Sequence, residues 1–247
     1  MLLEKKNIEV GAWLFRWRSY LPLIFLVVLF VAILDISRSD TFYTQSLSAW
    51  KLACLLISAF GLLVRAYTVG YAPAGTSGRN TERQEAQTLN STGIYSITRN
   101  PLYIGNFFMM LGVVLFIQDW SIALIYVLVF WLYYERIILA EEDFLKNEFG
   151  ETYLKYAERT PAVIPNFKSW IPPTLKFSFK NVLKREYSGF FGMITAFTAL
   201  EVAGNFVARN RIEMGVFWQV LFIVGLLMYL TLRTLKKKTR ILHVEGR

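Results

Sequence analysis

Long apolar stretches alternate with short polar ones along the 247 residues, and their lengths set the first expectation. A helix needs about 20 residues to cross the roughly 30 Å apolar layer of a bilayer. Residues 20–36, 50–71, 102–116, 122–140, 189–207 and 215–232 approach or reach that length. The pattern predicts an all-α polytopic membrane bundle of about six transmembrane helices in a single domain over 1–247. Gln118-Asp119-Trp120-Ser121, between the third and fourth spans, is too short for anything but an antiparallel hairpin turn. Apolar density falls after Ala140, where the proline-free stretch 141–158 spaces Phe144, Leu145, Phe149, Tyr153 and Tyr156 by three and four residues. That spacing predicts an amphipathic helix lying against the bilayer, with Phe149, Tyr153 and Tyr156 packed beneath it. Pro161, Pro165, Pro172 and Pro173 then impose extended or turning backbone. Ahead of the first span, 3–20 mixes Lys5, Lys6, Arg16 and Arg18 with Trp13, Phe15 and Trp17, the composition of an interfacial lead-in. A signal peptide would have a shorter apolar core and a small-residue cleavage site, which 20–36 lacks.

Composition agrees with a membrane protein: 55% hydrophobic residues, 16% aromatic residues and a mean hydropathy of +0.39 exceed what a soluble domain carries. Charge adds orientation. The net charge of +9 could serve nucleic acid, anionic lipid or topology, but the charges flank apolar spans and form no continuous basic face, which excludes nucleic acid. With the N-terminus inside, the basic segments 1–20, 72–101 and 141–188 and the tail containing Lys236, Lys237 and Lys238 all fall on one side. Both termini and the 72–101 loop are therefore expected in the cytoplasm, with the chain multi-pass in a bacterial inner membrane. Cys54 is the only cysteine and His243, in the basic tail, the only histidine, so no disulfide framework, metal centre or Ser-His-Asp triad is expected. Gly70, Gly75 and Gly78 follow no strand and form no dinucleotide fingerprint.

Candidate chemistry sits in 89–105, LNSTGIYSITRNPLYIG, a polar, turn-rich segment wedged between the second and third spans. Tyr95, Arg99, Asn100 and Tyr103 crowd around Pro101, which must start or break a helix. Such a cluster beside lipid is costly without a use. Together with AEEDFLKNEFGETYLKYAERTPAVIP, it resembles the isoprenylcysteine carboxyl methyltransferase and phospholipid methyltransferase superfamily over roughly 65–165. The family pattern G-x-Y, R-H-P-x-Y-x-G, a membrane hairpin, E-E-x-x-L, F-G-x-x-Y and a final proline appears here as Gly93 and Tyr95, Arg99 to Gly105, Glu141-Glu142 with Leu145, Phe149-Gly150 with Tyr153, and Pro161 and Pro165. The spans near 189–232 are additional to that core.

The resemblance implies an integral membrane enzyme that moves a methyl group from S-adenosylmethionine to a lipid or lipidated substrate at a cytoplasmic-face site. By resemblance, Asn80, Gln87, Thr88, Leu89 and Asn90 fall where the family lines its cofactor. A sulfonium, an ammonium, a carboxylate and an adenine together need acids, donors and flat rings. Glu141 and Glu142 can supply negative charge, and Tyr95 and Tyr103 can supply rings and hydroxyls. Asn100, Pro101 and Leu102 at a helix start can supply backbone donors for a carboxylate. The motif histidine is Asn100 here, which hydrogen-bonds but does not titrate near neutrality. The carboxyl methyltransferase branch places an arginine four residues before its glutamate; here Arg136 stands five before Glu141, which turns it by about 100° on the helix. Glu141 and Arg136 remain the expected catalytic pair.

Arg65, Arg79, Arg99 and Arg136 are the cations near the motif, and no histidine stands beside them. An amine substrate needs a base, whereas a phosphate or carboxylate oxygen needs only cationic guides, so these arginines are expected to guide an anionic oxygen of a membrane lipid. For Arg65 the alternative is a snorkelling anchor at the end of its span. A narrower resemblance of GTSGRN, 75–80, and of the two C-terminal spans to bacterial lipid A phosphate methyltransferases points the same way. The competing expectations are a phospholipid N-methyltransferase and a non-enzymatic transporter or scaffold. A transporter would distribute polar residues through broken mid-membrane helices, whereas here they concentrate at one face. Glu201, inside the fifth span, is expected near a wet cavity or a helix partner.

Overall fold

The computed structural model describes residues 3–18, 20–36, 48–73, 86–244 and 246. Among the described residues eight α-helices carry the chain: α1 Leu3–Trp17, α2 Leu21–Ile36, α3 Ala49–Tyr71, α4 Pro101–Leu115, α5 Trp120–Phe149, α6 Glu151–Arg159, α7 Phe179–Arg209 and α8 Val216–Lys238. Each of the six expected spans is found as a helix. Four of them, α3, α5, α7 and α8, are long and apolar enough to cross a membrane. The other two are shorter apolar helices: α2 has 16 residues and α4 has 15, and 15 residues rise only about 23 Å.

Local chemistry fixes the helix ends. Ser48 caps α3 through a bond from Lys51 N, and Asp119 caps α5 by accepting from Ser121 N and Ile122 N. Pro101 occupies the first turn of α4, where its missing N–H costs nothing. The expected amphipathic helix over 141–158 is instead divided at Gly150, whose φ of 51° an L side chain rarely adopts. Its first half continues α5, and its second half is α6, which buries Tyr153 and Tyr156. The lead-in 3–20 is also more than an interfacial segment. As α1 it packs on α5, with Gly11 against the Arg136 carbonyl and Phe15 in a cluster with Tyr134, Ile137 and Ile138.

Antiparallel packing gives the bundle two distinct ends. α3 and α4 approach closely through Gly61, Gly105 and Gly112, where any Cβ would meet the facing backbone. Ser58 Oγ ties this seam by donating to the Met109 carbonyl at 2.6 Å. At one end Trp50 Nε1 donates to the Leu115 carbonyl and Trp218 packs edge-on against Phe116. There Lys51 and Glu201 form a 2.7 Å ion pair, 3% and 2% exposed, so the acid in the fifth span has a helix partner. The opposite end carries the motif segment, the start of α7 and the end of α8, where Lys236 Nζ lies over the Tyr187 ring. A proline-rich strap, 160–178, covers the motif there. It is stitched on by Arg99 N to Pro161 O, Asn166 N to Ile97 O, Gly93 N to Ile171 O and Ile171 N to Ser96 Oγ, all at 2.8–2.9 Å.

Candidate active site

At the motif end, α4 and α5 present Tyr103 and Glu141 to each other, and the phenol donates to the carboxylate at 2.8 Å. Arg18, from the short segment after α1, lies over the Phe15 ring and reaches Glu141 at 3.6 Å. α5 has 30 residues, roughly 45 Å, so its charged last turns, Glu141 included, project beyond the part that crosses an apolar layer of about 30 Å. Burial pushes the Glu141 carboxyl up to about 7, against the lowering effect of the Tyr103 bond and the Arg18 charge. Even so, 26% of its side-chain surface stays exposed. Burial likewise lifts the Tyr95 phenol to about 12; Arg185 and Arg65 pull it down and Glu141 pushes it up, so it remains a neutral hydrogen-bonding group.

The remaining motif residues hold the site together from several sides. Arg99 Nη2 pairs with Glu142 Oε1 at 2.9 Å, its Nη1 donates to the Ala157 carbonyl, and its backbone N–H donates to Pro161 O. Asn100 makes no cap bond to α4; its amide donates to the Ala162 carbonyl at 3.0 Å and so pins the strap. Tyr156 Oη donates to the Tyr95 carbonyl at 2.7 Å, which makes Tyr156 a support of the motif backbone. Pro101 is buried and Leu102 half-buried at the start of α4. In the approach to the motif Leu89 and Asn90 are half-buried, whereas Gln87 and Thr88 are exposed. Asn80 and Arg79 lie outside the described residues.

Arg65 is neither a lone lipid-facing anchor nor an uncompensated cation. Its fork grips Glu186 through Nε to Oε2 and Nη2 to Oε1, both at 2.8 Å, and its Nη1 donates to Asn106 Oδ1 at 2.6 Å. Arg136 is half-buried on the side of α5 that faces α1, with its carbonyl against Gly11, and is not in the Tyr103–Glu141 bond. The sequence reading therefore brought together Tyr95, Arg99, Tyr103, Glu141 and Glu142, but missed Arg18, Asn106, Tyr134 and Glu186. Two of these left a trace. Asn106 is a polar residue inside an apolar span, and Glu186 is the single acid between Glu158 and Glu201, at the head of an apolar helix.

Donors and acceptors without partners test whether a charged cofactor fits. Arg99 Nε is buried and makes no hydrogen bond, Asn90 Nδ2 is buried beside the Tyr95 hydroxyl, and Glu141 is a partly open carboxylate among aromatic rings. Such buried donors suit the carboxylate, ribose and adenine acceptors of S-adenosylmethionine, and the carboxylate with its rings suits the ammonium and sulfonium. The residues present fit that cofactor.

The apolar helical bundle thus gathers acids, arginines and tyrosines at one end, under a strap. Comparison with known proteins says which kind: the chain belongs to the isoprenylcysteine carboxyl methyltransferase and phospholipid methyltransferase superfamily. The family model described as phospholipid methyltransferase matches residues 49–152. The protein-S-isoprenylcysteine O-methyltransferase of Mus musculus is 30% identical over 120 residues, 45% of this chain and 42% of the relative. The enzyme of that name from Schizosaccharomyces pombe is 32% identical over 84 residues, 34% and 36% of the two chains. A nickel-cobalt-cadmium resistance protein, NccN, of Alcaligenes xylosoxydans xylosoxydans is 31% identical over 169 residues, 66% of this chain and 76% of the relative. The chain thus spans only about two-fifths of the length of the isoprenylcysteine relatives named here. No solved structure matches it significantly.

Proposed function

We propose that the protein is an integral membrane methyltransferase that uses S-adenosylmethionine to methylate an anionic oxygen of a membrane lipid or lipidated substrate, with the site facing the cytoplasm. The observation that carries this reading is the Tyr103–Glu141 pair, held between Arg18 and the Arg99–Glu142 pair at the head of the family motif. Glu141 and Glu142, with the rings of Tyr95 and Tyr103, would hold the cationic part of the cofactor, and Asn90 and Arg99 its acceptors. When bound, the cofactor supplies an electrophilic methyl group. The chain's own contribution is orientation and exclusion of water: the strap covers the motif from outside, and the bundle closes it from within.

Two features support oxygen as the acceptor. The isoprenylcysteine relatives are named as O-methyltransferases, and the motif carries Asn100 where a titrating imidazole would otherwise stand. Arg65 and Arg99 already face Glu186 and Glu142, so among the expected guides within the described residues Arg136 is the one left to meet a phosphate or carboxylate, a lipid A phosphate being one such substrate. A groove lined by Phe30, Phe191, Ala196, Leu200 and Tyr229 opens between α2, α7 and α8. Its lining is almost wholly apolar, which suits a lipid tail.

Mass spectrometry of lipids from cells with and without the gene tests the reading. One added methyl on an acidic headgroup oxygen or a carboxyl, present only with the gene, is the expected result. An N-methylated headgroup, with activity that climbs steeply with pH until an ammonium loses its proton, would replace it with phospholipid N-methylation.

A further inference from the structure

Glu186 lies beyond residues 49–152, the part of the chain that the phospholipid methyltransferase model matches, yet its carboxylate is 6% exposed and holds Arg65 from two sides. Gly105 completes that grip. A Cβ there would meet Arg65 Cγ, so the motif's last glycine is the space in which the arginine stem lies across α4. Held by Glu186 and bedded on Gly105, the guanidinium points Nη1 at Asn106 Oδ1. The Asn106 amide in turn donates to Tyr134 Oη at 3.1 Å. The Tyr134 ring packs on the Tyr103 ring with centroids 4.5 Å apart, and Tyr103 donates to Glu141. An unbroken series of contacts therefore runs from the head of α7 to the open carboxylate of the site.

We infer that Glu186 is a positioning residue: acting through Arg65, Asn106, Tyr134 and Tyr103, it orients Glu141 for S-adenosylmethionine, so that the helices beyond the family core are part of the site. The inference rests on the methyltransferase reading. A carboxylate is required because a glutamine offers the fork one acceptor in place of two and leaves a half-buried guanidinium without its counter-charge. Mere docking of α7 on α3 is a separate matter, since Lys51 and Glu201 join the same two helices at the far end of the bundle. That second pair is the natural control.

The full chain in lipid nanodiscs would be titrated with S-adenosylmethionine by calorimetry, and each variant's Tm followed by intrinsic fluorescence. Glu186→Gln should weaken binding by about tenfold, the scale of a lost hydrogen bond to a charged group. Glu186→Asp, which keeps the charge, should recover most of that loss. Glu201→Gln should lower Tm and leave the affinity within about twofold, as expected for a site with no shared partners. Wild-type affinity in Glu186→Gln, or a loss in Glu201→Gln equal to that in Glu186→Gln, would overturn the inference. Should Glu186→Gln fail to fold, Tyr134→Phe tests the same series with both ion pairs intact; weakened binding supports the inference and unchanged binding overturns it. Failure of the wild type itself to bind would be seen before any variant is compared, and it would remove the methyltransferase reading first.

Discussion

Glu141 is the residue whose charge the fold adjusts with most consequence. Its carboxyl rises from 4.5 to about 7, chiefly through burial. Between those values the folded chain keeps a proton that the unfolded chain has released, so stability falls as pH rises through that window and levels off above it. Thermal unfolding across the window should show this decline in the wild type and lose that component in Glu141→Gln. Docking a cation on the carboxylate favours the charged form, so S-adenosylmethionine affinity should rise as pH climbs from roughly 6 to 8, and Glu141→Gln should bind with little pH dependence. A flat wild-type profile would place the cofactor's ammonium elsewhere. At this scale the motif made Tyr103 and Glu141 legible as partners because both sit at fixed motif positions. Arg18 and Glu186 were not legible, since a sequence gives no distance between an N-terminal arginine, a helix in the extra C-terminal pair and the core they complete.

Among the elements, the α3–α4 seam depends on absent side chains. At Gly112 a Cβ would collide with the Cys54 carbonyl and Ser58, both on the facing helix, whereas at Gly192 in α7 it would meet nothing within 4 Å. Gly112→Ala should therefore cost about 1–3 kcal/mol by overpacking. Gly192→Ala should gain up to about 1 kcal/mol from helix propensity. Equal Tm values for the two variants would contradict this packing. The strap makes a second prediction. Ile164 and Phe167 are 77% and 75% exposed and stand near Lys168 and Trp170, a mixture that belongs in the headgroup layer. Spin labels on single cysteines at 164 and 167 in a Cys54→Ala background should be more accessible to oxygen than to a water-soluble nickel complex, and the reverse order would put the strap in water. Apolar length made the six helices legible in the sequence. The break at Gly150 was not, because a left-handed backbone inside an otherwise helix-forming run has no signature beyond the glycine itself.

For the molecule as a whole, chain order and contacts put α1, the motif, the strap and the end of α8 at one end of the bundle, and the basic segments share that end. Charge bias therefore predicts that a cysteine at Asn7 or Thr239 reacts with an impermeant maleimide only after the membrane is permeabilised. Labelling of the tail in intact cells would invert the orientation. The central claim, that this end holds S-adenosylmethionine on Glu141 and Tyr103, is met most directly by calorimetric titration of the cofactor into wild type, Glu141→Gln and Tyr103→Ala, each shown to be folded by its Tm. Saturable binding by the wild type, weakened at least about tenfold in both variants, is the expected result. Full cofactor affinity in both folded variants would contradict it.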